Sequence, residues 1–113
     1  MSEQVRDVTD GNFEAEVMKS NVPVLVDFWA EWCEPCRRMG PVVEAVAQKL
    51  GETAKIVKLN VDDNPSVTQR FGIKGIPTMI VFKGGKEAER LVGATNEVAI
   101  TRIIEEQISV VKA

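Results

Sequence analysis

The sequence predicts an α/β domain on a mixed five-stranded sheet flanked by four helices, and three observations carry that prediction. Val24 to Trp29 is an apolar run broken by a single acid, Asp27, the composition of a strand covered on both faces. Downstream, Met39, Val42, Val43, Val46 and Leu50 fall at helical spacing, so the strand feeds a helical crossover. Near the other end Lys83-Gly84-Gly85-Lys86 has the glycines of a tight hairpin turn, which joins two antiparallel strands. Read through, the order is β-α-β-α-β-α-β-β-α, with crossovers first and a hairpin second. That order places helices on both faces of one sheet.

Val5 and Val8 mark a short first strand of edge character. Thr9-Asp10-Gly11-Asn12 offers caps for a first helix, in which Phe13 and Val17 stand four residues apart and need a sheet to cover. Pro23 opens the central strand at a position that tolerates a missing N–H. The long second helix contains Pro41, which removes one backbone hydrogen bond and predicts a bend, and Gly51 can end it in the left-handed region. Ile56, Val57, Leu59 and Val61 form the third strand. Asn64-Pro65 then reads as a cap followed by a proline in the first helical turn, and Phe71-Gly72 closes that helix. Thr78 to Phe82 is the fourth strand, and Glu87 to Val92 pairs back along it as an edge guarded by charge. Thr95-Asn96-Glu97 caps the last helix, where Ile100, Ile103, Ile104, Ile108 and Val111 make one stripe that packs as core.

With 113 residues, 44% of them hydrophobic and 27% charged, the chain is expected to be a single domain, residues 1–113, with a core of its own. Its net charge of −3 and the lack of a basic run argue against a nucleic-acid partner. Arg37-Arg38 is read as a solvated helix face that adds positive potential near the thiols. No apolar stretch approaches the ~20 residues of a membrane span. The opening M-S-E-Q-V-R-D lacks the pattern of a secretory signal. One cysteine pair without an export signal suits a catalytic disulfide in a reducing cytoplasm.

Cys33 and Cys36 stand where the central strand ends and the second helix begins. Unpaired N–H groups and the positive end of the helix dipole favour a thiolate there, and one helical turn brings the second sulfur within reach of a reversible disulfide. A zinc site needs about four ligands, and a chain with two cysteines and no histidine cannot complete one alone. Two buried inert cysteines are the remaining alternative.

Trp32-Cys33-Glu34-Pro35-Cys36, in the frame D-F-W-A-E-W-C-x-P-C, resembles the active-site signature of the thioredoxins. The likeness extends through Lys58-Leu59-Asn60-Val61-Asp62, Asn64-Pro65, Gly75-Ile76-Pro77-Thr78 and Val92-Gly93-Ala94, essentially the whole chain. It implies the thioredoxin fold, with the strand ending at Trp29 in the centre and the last two strands antiparallel to it. The activity it implies is general protein-disulfide reduction by a redox-active electron carrier. Cys33, at the exposed start of the helix, is expected to attack a substrate disulfide, and Cys36, one turn further in, to resolve the mixed disulfide.

Asp27 is costly to bury as a carboxylate, so its pKa should rise toward neutrality, and Lys58 on the next strand is an available partner. The resemblance implies that this acid, with the lysine nearby, exchanges a proton with Cys36. It also implies a cis Ile76-Pro77 bond facing the cysteines. Trp32, Pro35, Ile76, Pro77, Val92, Gly93 and Ala94 are expected to form a flat apolar face for a protein substrate, while Trp29 packs beneath as core.

Glu34 departs from the usual glycine. It suits a first helical turn but sets a negative charge beside the thiolate, so it should raise the Cys33 pKa and alter partner preference. The resemblance implies re-reduction by an NADPH-linked thioredoxin reductase. The chain shows no nucleotide site and is expected to hold no cofactor, and it is expected to be a monomer. Two rivals stay open: an isomerase or dedicated reductant, and a binding subunit of the same fold that docks a partner regardless of redox state.

Overall fold

The computed structural model describes residues 4–109, of which Ser109 is described in its backbone alone. Strands β1 (Val5–Asp7), β2 (Val24–Trp29), β3 (Lys55–Asn60), β4 (Thr78–Lys83) and β5 (Lys86–Val92) form one sheet in the order β1-β3-β2-β4-β5. Three α-helices, α1 (Glu34–Leu50), α2 (Pro65–Arg70) and α3 (Glu97–Ser109), flank it together with a π-helical turn at Glu14–Met18 and a 3-10 turn at Gly51–Thr53. The first of the four expected helices is thus a single wide turn, closed by Lys19 N–H donating to the Glu14 carbonyl at 3.0 Å.

The most apolar strand takes the middle because only there are both of its faces covered. β2 pairs parallel with β3 and antiparallel with β4, and β4 pairs antiparallel with β5. β5 therefore runs parallel to β2, which corrects the expectation that both final strands oppose the central one. A hairpin reverses direction once, so two reversals from β2 restore it. The hairpin turn needs φ of +60° at Gly84 and +79° at Gly85, which a side chain would oppose.

Alternation along β2 divides the core. Val24, Val26 and Phe28 join Phe13, Val17, Leu59, Ile80 and Phe82 on one face, and Leu25 joins Met39, Val43, Val46, Ile100 and Ile104 on the other. Each such side chain, fully buried, stabilises the fold by about 1.5–3 kcal/mol relative to exposure. The apolar stripe of α3 packs here through Ile100, Ile103, Ile104 and Ile108, while Val111 lies outside the described residues. α1 runs through Pro41 as one element, and its first turn is therefore fixed to a helix anchored deep in the core.

Two expected caps act elsewhere. The Asp10 carboxylate accepts the Ser66 and Val67 amides at 3.1 and 2.9 Å, so it caps α2 from more than fifty residues away. The Asn64 side chain, expected to cap α2, instead accepts from the Asp10 amide at 2.9 Å and donates to the Asn60 carbonyl at 3.0 Å. Asn96 behaves as expected, its side-chain oxygen accepting the Ala99 amide at the start of α3.

Candidate functional site

The site forms where β2, β3 and β4 reach the same end of the sheet and α1 begins. After Trp29 the chain turns at Ala30, whose carbonyl accepts the Cys33 amide at 3.2 Å. Cys33 then caps α1 in an extended conformation, and Pro35 occupies the first helical turn, where a missing N–H leaves nothing unpaired. The Cys36 amide donates to Cys33 Sγ at 3.3 Å. One helix N–H is thus aimed at the sulfur, and in the reduced protein the same group would face the thiolate.

Cys33 and Cys36 are joined as a disulfide, with Cα atoms 5.3 Å apart. Their side chains pack with Ala30, Trp29, Val61 and Ile76. Cys33 was expected to be the exposed member, yet the two residues are 5% and 3% exposed. In the oxidised pair both sulfurs tuck under the loop before β4, and Cys33 Sγ lies 3.9 Å from the Ile76 carbonyl oxygen. What distinguishes Cys33 is its capping position and the Cys36 amide.

Asp27 lies one turn of pleat behind Trp29 on the helix-covered face of β2, and it is 4% exposed. Burial pushes its carboxyl up to about 7 from an ordinary 3.8, against the opposing pull of the Lys58 charge. Lys58 stands beside it in the β2–β3 register. No ion pair joins them: the Lys58 ammonium sits 5.1 Å from the centroid of the Trp29 ring, and Asp27 Oδ1 is buried without a hydrogen-bond partner. Lys58, an available partner in the sequence, thus influences Asp27 through space rather than by a direct ion pair. Trp29 Nε1 is likewise buried without a partner.

Of the residues expected in the apolar face, Pro77 and Gly93 meet through their backbones. The Ile76-Pro77 peptide is cis, and the Pro77 carbonyl accepts the Gly93 amide at 2.7 Å. Val92 pairs with Thr78 and is 67% exposed, beside Gly93 and an exposed Ala94. Ile76 is half-buried and Pro77 buried, so Pro77 contributes its backbone and its shape more than open surface. Glu34 is exposed, and its carboxylate stands 3.8 Å from Arg38 on the next turn of α1.

Sequence reasoning missed Asp62. Its carboxylate accepts the Trp32 indole N–H at 2.9 Å, and Trp32 is 69% exposed. The signal was available in the parallel pairing of β2 with β3, since two neighbouring parallel strands end side by side. The residues just after Trp29 and just after Asn60 must then meet.

A comparison with protein families matches the thioredoxin model over residues 4–106. The chain belongs to the thioredoxin family. It is similar to a thioredoxin 1 of Nostoc, 46% identical over 89% of this chain and 94% of that one. A thioredoxin of Acidithiobacillus ferridurans is 41% identical over 96% of this chain and its own full length. A chloroplastic M-type thioredoxin of Chlamydomonas reinhardtii is 46% identical over 90% of this chain and 73% of its own. As in a thioredoxin, the paired cysteines at a helix start carry dithiol–disulfide exchange, and the five-stranded mixed sheet is the thioredoxin fold.

Proposed function

We propose that this protein is a general protein-disulfide reductase in which Cys33 attacks and Cys36 resolves. The observation that carries the assignment is the Cys36 amide aimed at Cys33 Sγ from the first turn of α1. A thiolate at Cys33 gains that hydrogen bond and the helix dipole together, and the thiolate is the attacking form.

The exchange runs in two displacements. Cys33 S⁻ attacks one sulfur of a substrate disulfide, forming a mixed disulfide and expelling the other substrate sulfur as a thiolate, which takes a proton. Cys36, deprotonated, then attacks Cys33 Sγ, releasing the second substrate thiol and leaving the Cys33–Cys36 disulfide. The substrate gains two electrons and two protons; the protein supplies both electrons and the Cys36 proton, and the second proton comes from solvent, because Cys33 starts as the thiolate. Asp27 is the group assigned to take the Cys36 proton, because a carboxyl poised at about 7 can accept it at neutral pH. Lys58 tunes Asp27 by lowering its pKa.

Trp32, Pro35, Ile76, Pro77, Val92, Gly93 and Ala94 form the face on which the substrate protein rests, and Glu34 biases which partners bind. An NADPH-linked thioredoxin reductase returns the electrons. The reading is of a monomer of one domain in a reducing cytoplasm. Among the described residues no helix is long and apolar enough to cross a membrane.

The test is reduction of insulin disulfides with limiting dithiothreitol. The parent chain should accelerate it and Cys33→Ser should not. Equal rates for the two would remove Cys33 from the mechanism. For Glu34→Gly, the Cys33 thiol of the reduced protein should titrate at lower pH, followed by thiolate absorbance; an unchanged titration would leave Glu34 with its exposed pairing to Arg38 alone, worth under about 1 kcal/mol.

A further inference from the structure

Trp32 is the largest exposed apolar side chain of the proposed substrate face, and an exposed indole ordinarily has several rotamers open to it. Here it is tied down by groups outside that face. Its Nε1–H donates to Asp62 Oδ2 at 2.9 Å. Asp62 is held in turn, its amide donating to Asn60 Oδ1 at 2.9 Å. The Asn60 carbonyl accepts both the Asp63 amide at 3.3 Å and Asn64 Nδ2 at 3.0 Å. Asn64 is 6% exposed, and its Oδ1 accepts the Asp10 amide at 2.9 Å. A buried amide thus pins the turn after β3 from inside, and the turn presents one carboxylate outward to one indole.

We propose that Asp62, braced by Asn60 and Asn64, is a positioning residue that fixes Trp32 for protein substrates and so sets their affinity. The inference rests on the reading of Trp32 as part of the substrate face. The physical reason is preorganisation: a ring already held in its binding rotamer loses less conformational freedom when a partner covers it. The exchange chemistry at Cys33 and Cys36 does not involve Asp62, so KM for a protein disulfide should respond while kcat stays.

The experiment measures steady-state KM and kcat for insulin reduction by the full chain, with electrons from dithiothreitol, in Asp62→Ala, Asp62→Asn, Asn64→Ala and Trp32→Ala, and with each of the first three combined with Trp32→Ala. Loss of one charge-assisted hydrogen bond should raise KM roughly threefold to tenfold in Asp62→Ala. Asp62→Asn keeps an acceptor oxygen and should restore most of the affinity, which separates positioning from the negative charge itself. Asn64→Ala should act in the same direction. Should it fail to fold by circular dichroism, the exposed Asp62 carries the test alone.

In the Trp32→Ala background none of these changes should move KM further. An added effect there, or an Asp62→Asn as impaired as Asp62→Ala, would overturn the proposal. A Trp32→Ala with unchanged KM would overturn instead the reading of Trp32 as substrate face, a result distinguishable from the first.

Discussion

The two faces of β2 come from six consecutive residues and do opposite things. Val24, Val26 and Phe28 point into a layer of aliphatic and aromatic side chains, where Phe13, Phe71 and Phe82 meet edge-on or tilted at 5.0 to 5.7 Å between ring centroids. Leu25, Asp27 and Trp29 point the other way, toward α1 and α3, and on that face two buried polar atoms, Asp27 Oδ1 and Trp29 Nε1, have no partner. One face is used for cohesion. The other gives up some cohesion, and an unsatisfied buried carboxyl is what leaves Asp27 poised near neutral pH rather than fully ionised.

The strongest way to separate the faces is to cut into the cohesive one. Phe28→Ala removes a wholly buried ring and should cost about 3–5 kcal/mol in urea unfolding, with insulin reduction per folded molecule unchanged. A large loss of turnover in folded protein would mean that the faces are not independent.

Asp27→Asn should act in the opposite sense. Because burial raises the Asp27 pKa, the folded chain holds a proton between about pH 4 and 7 that the unfolded chain has released, so stability from this group is full below pH 4 and falls as pH rises to about 7. The span from 3.8 to about 7 corresponds to roughly 4 kcal/mol. The variant lacks that decline, so it should be the more stable protein at pH 8 by up to that amount, and the gap should close at pH 4. It should also slow the resolving step and abolish its inflection near pH 7. A stability gap that does not change with pH would show that Asp27 is not titrating in the folded chain.

The smallest effect belongs to Lys58→Met. Lys58 lowers the Asp27 pKa through space without an ion pair, so its loss should move the pH inflection of the resolving step upward while changing stability little. A downward shift would contradict the assigned sign.

Much of this was legible in the sequence because it rests on local patterns. β2, β4 and α3 follow from apolar spacing, the hairpin from Gly84-Gly85, and the disulfide from the position of two cysteines at a helix start. What escaped depends on where distant segments meet. The burial of Cys33 needs the Ile76 loop to fold over it, the placement of Lys58 above Trp29 needs a choice between a carboxylate and a ring, and the Trp32–Asp62 bond needs the β2–β3 register. The direction of β5 was a different kind of miss, since the hairpin that settles it was already in view.

The Asp10 cap has a kinetic consequence. A six-residue helix is too short to hold its own first turn, and the two amides of α2 that Asp10 receives belong to Ser66 and Val67. Until a segment near the chain's start has closed a loop of more than fifty residues onto it, α2 lacks that support. Its first turn is in effect held by a distant stretch of the same chain, and α2 should therefore be among the last parts to settle during folding. Asp10→Ala should therefore speed unfolding and leave the folding rate nearly untouched, as stopped-flow fluorescence would show; slowed folding would put α2 in the nucleus instead.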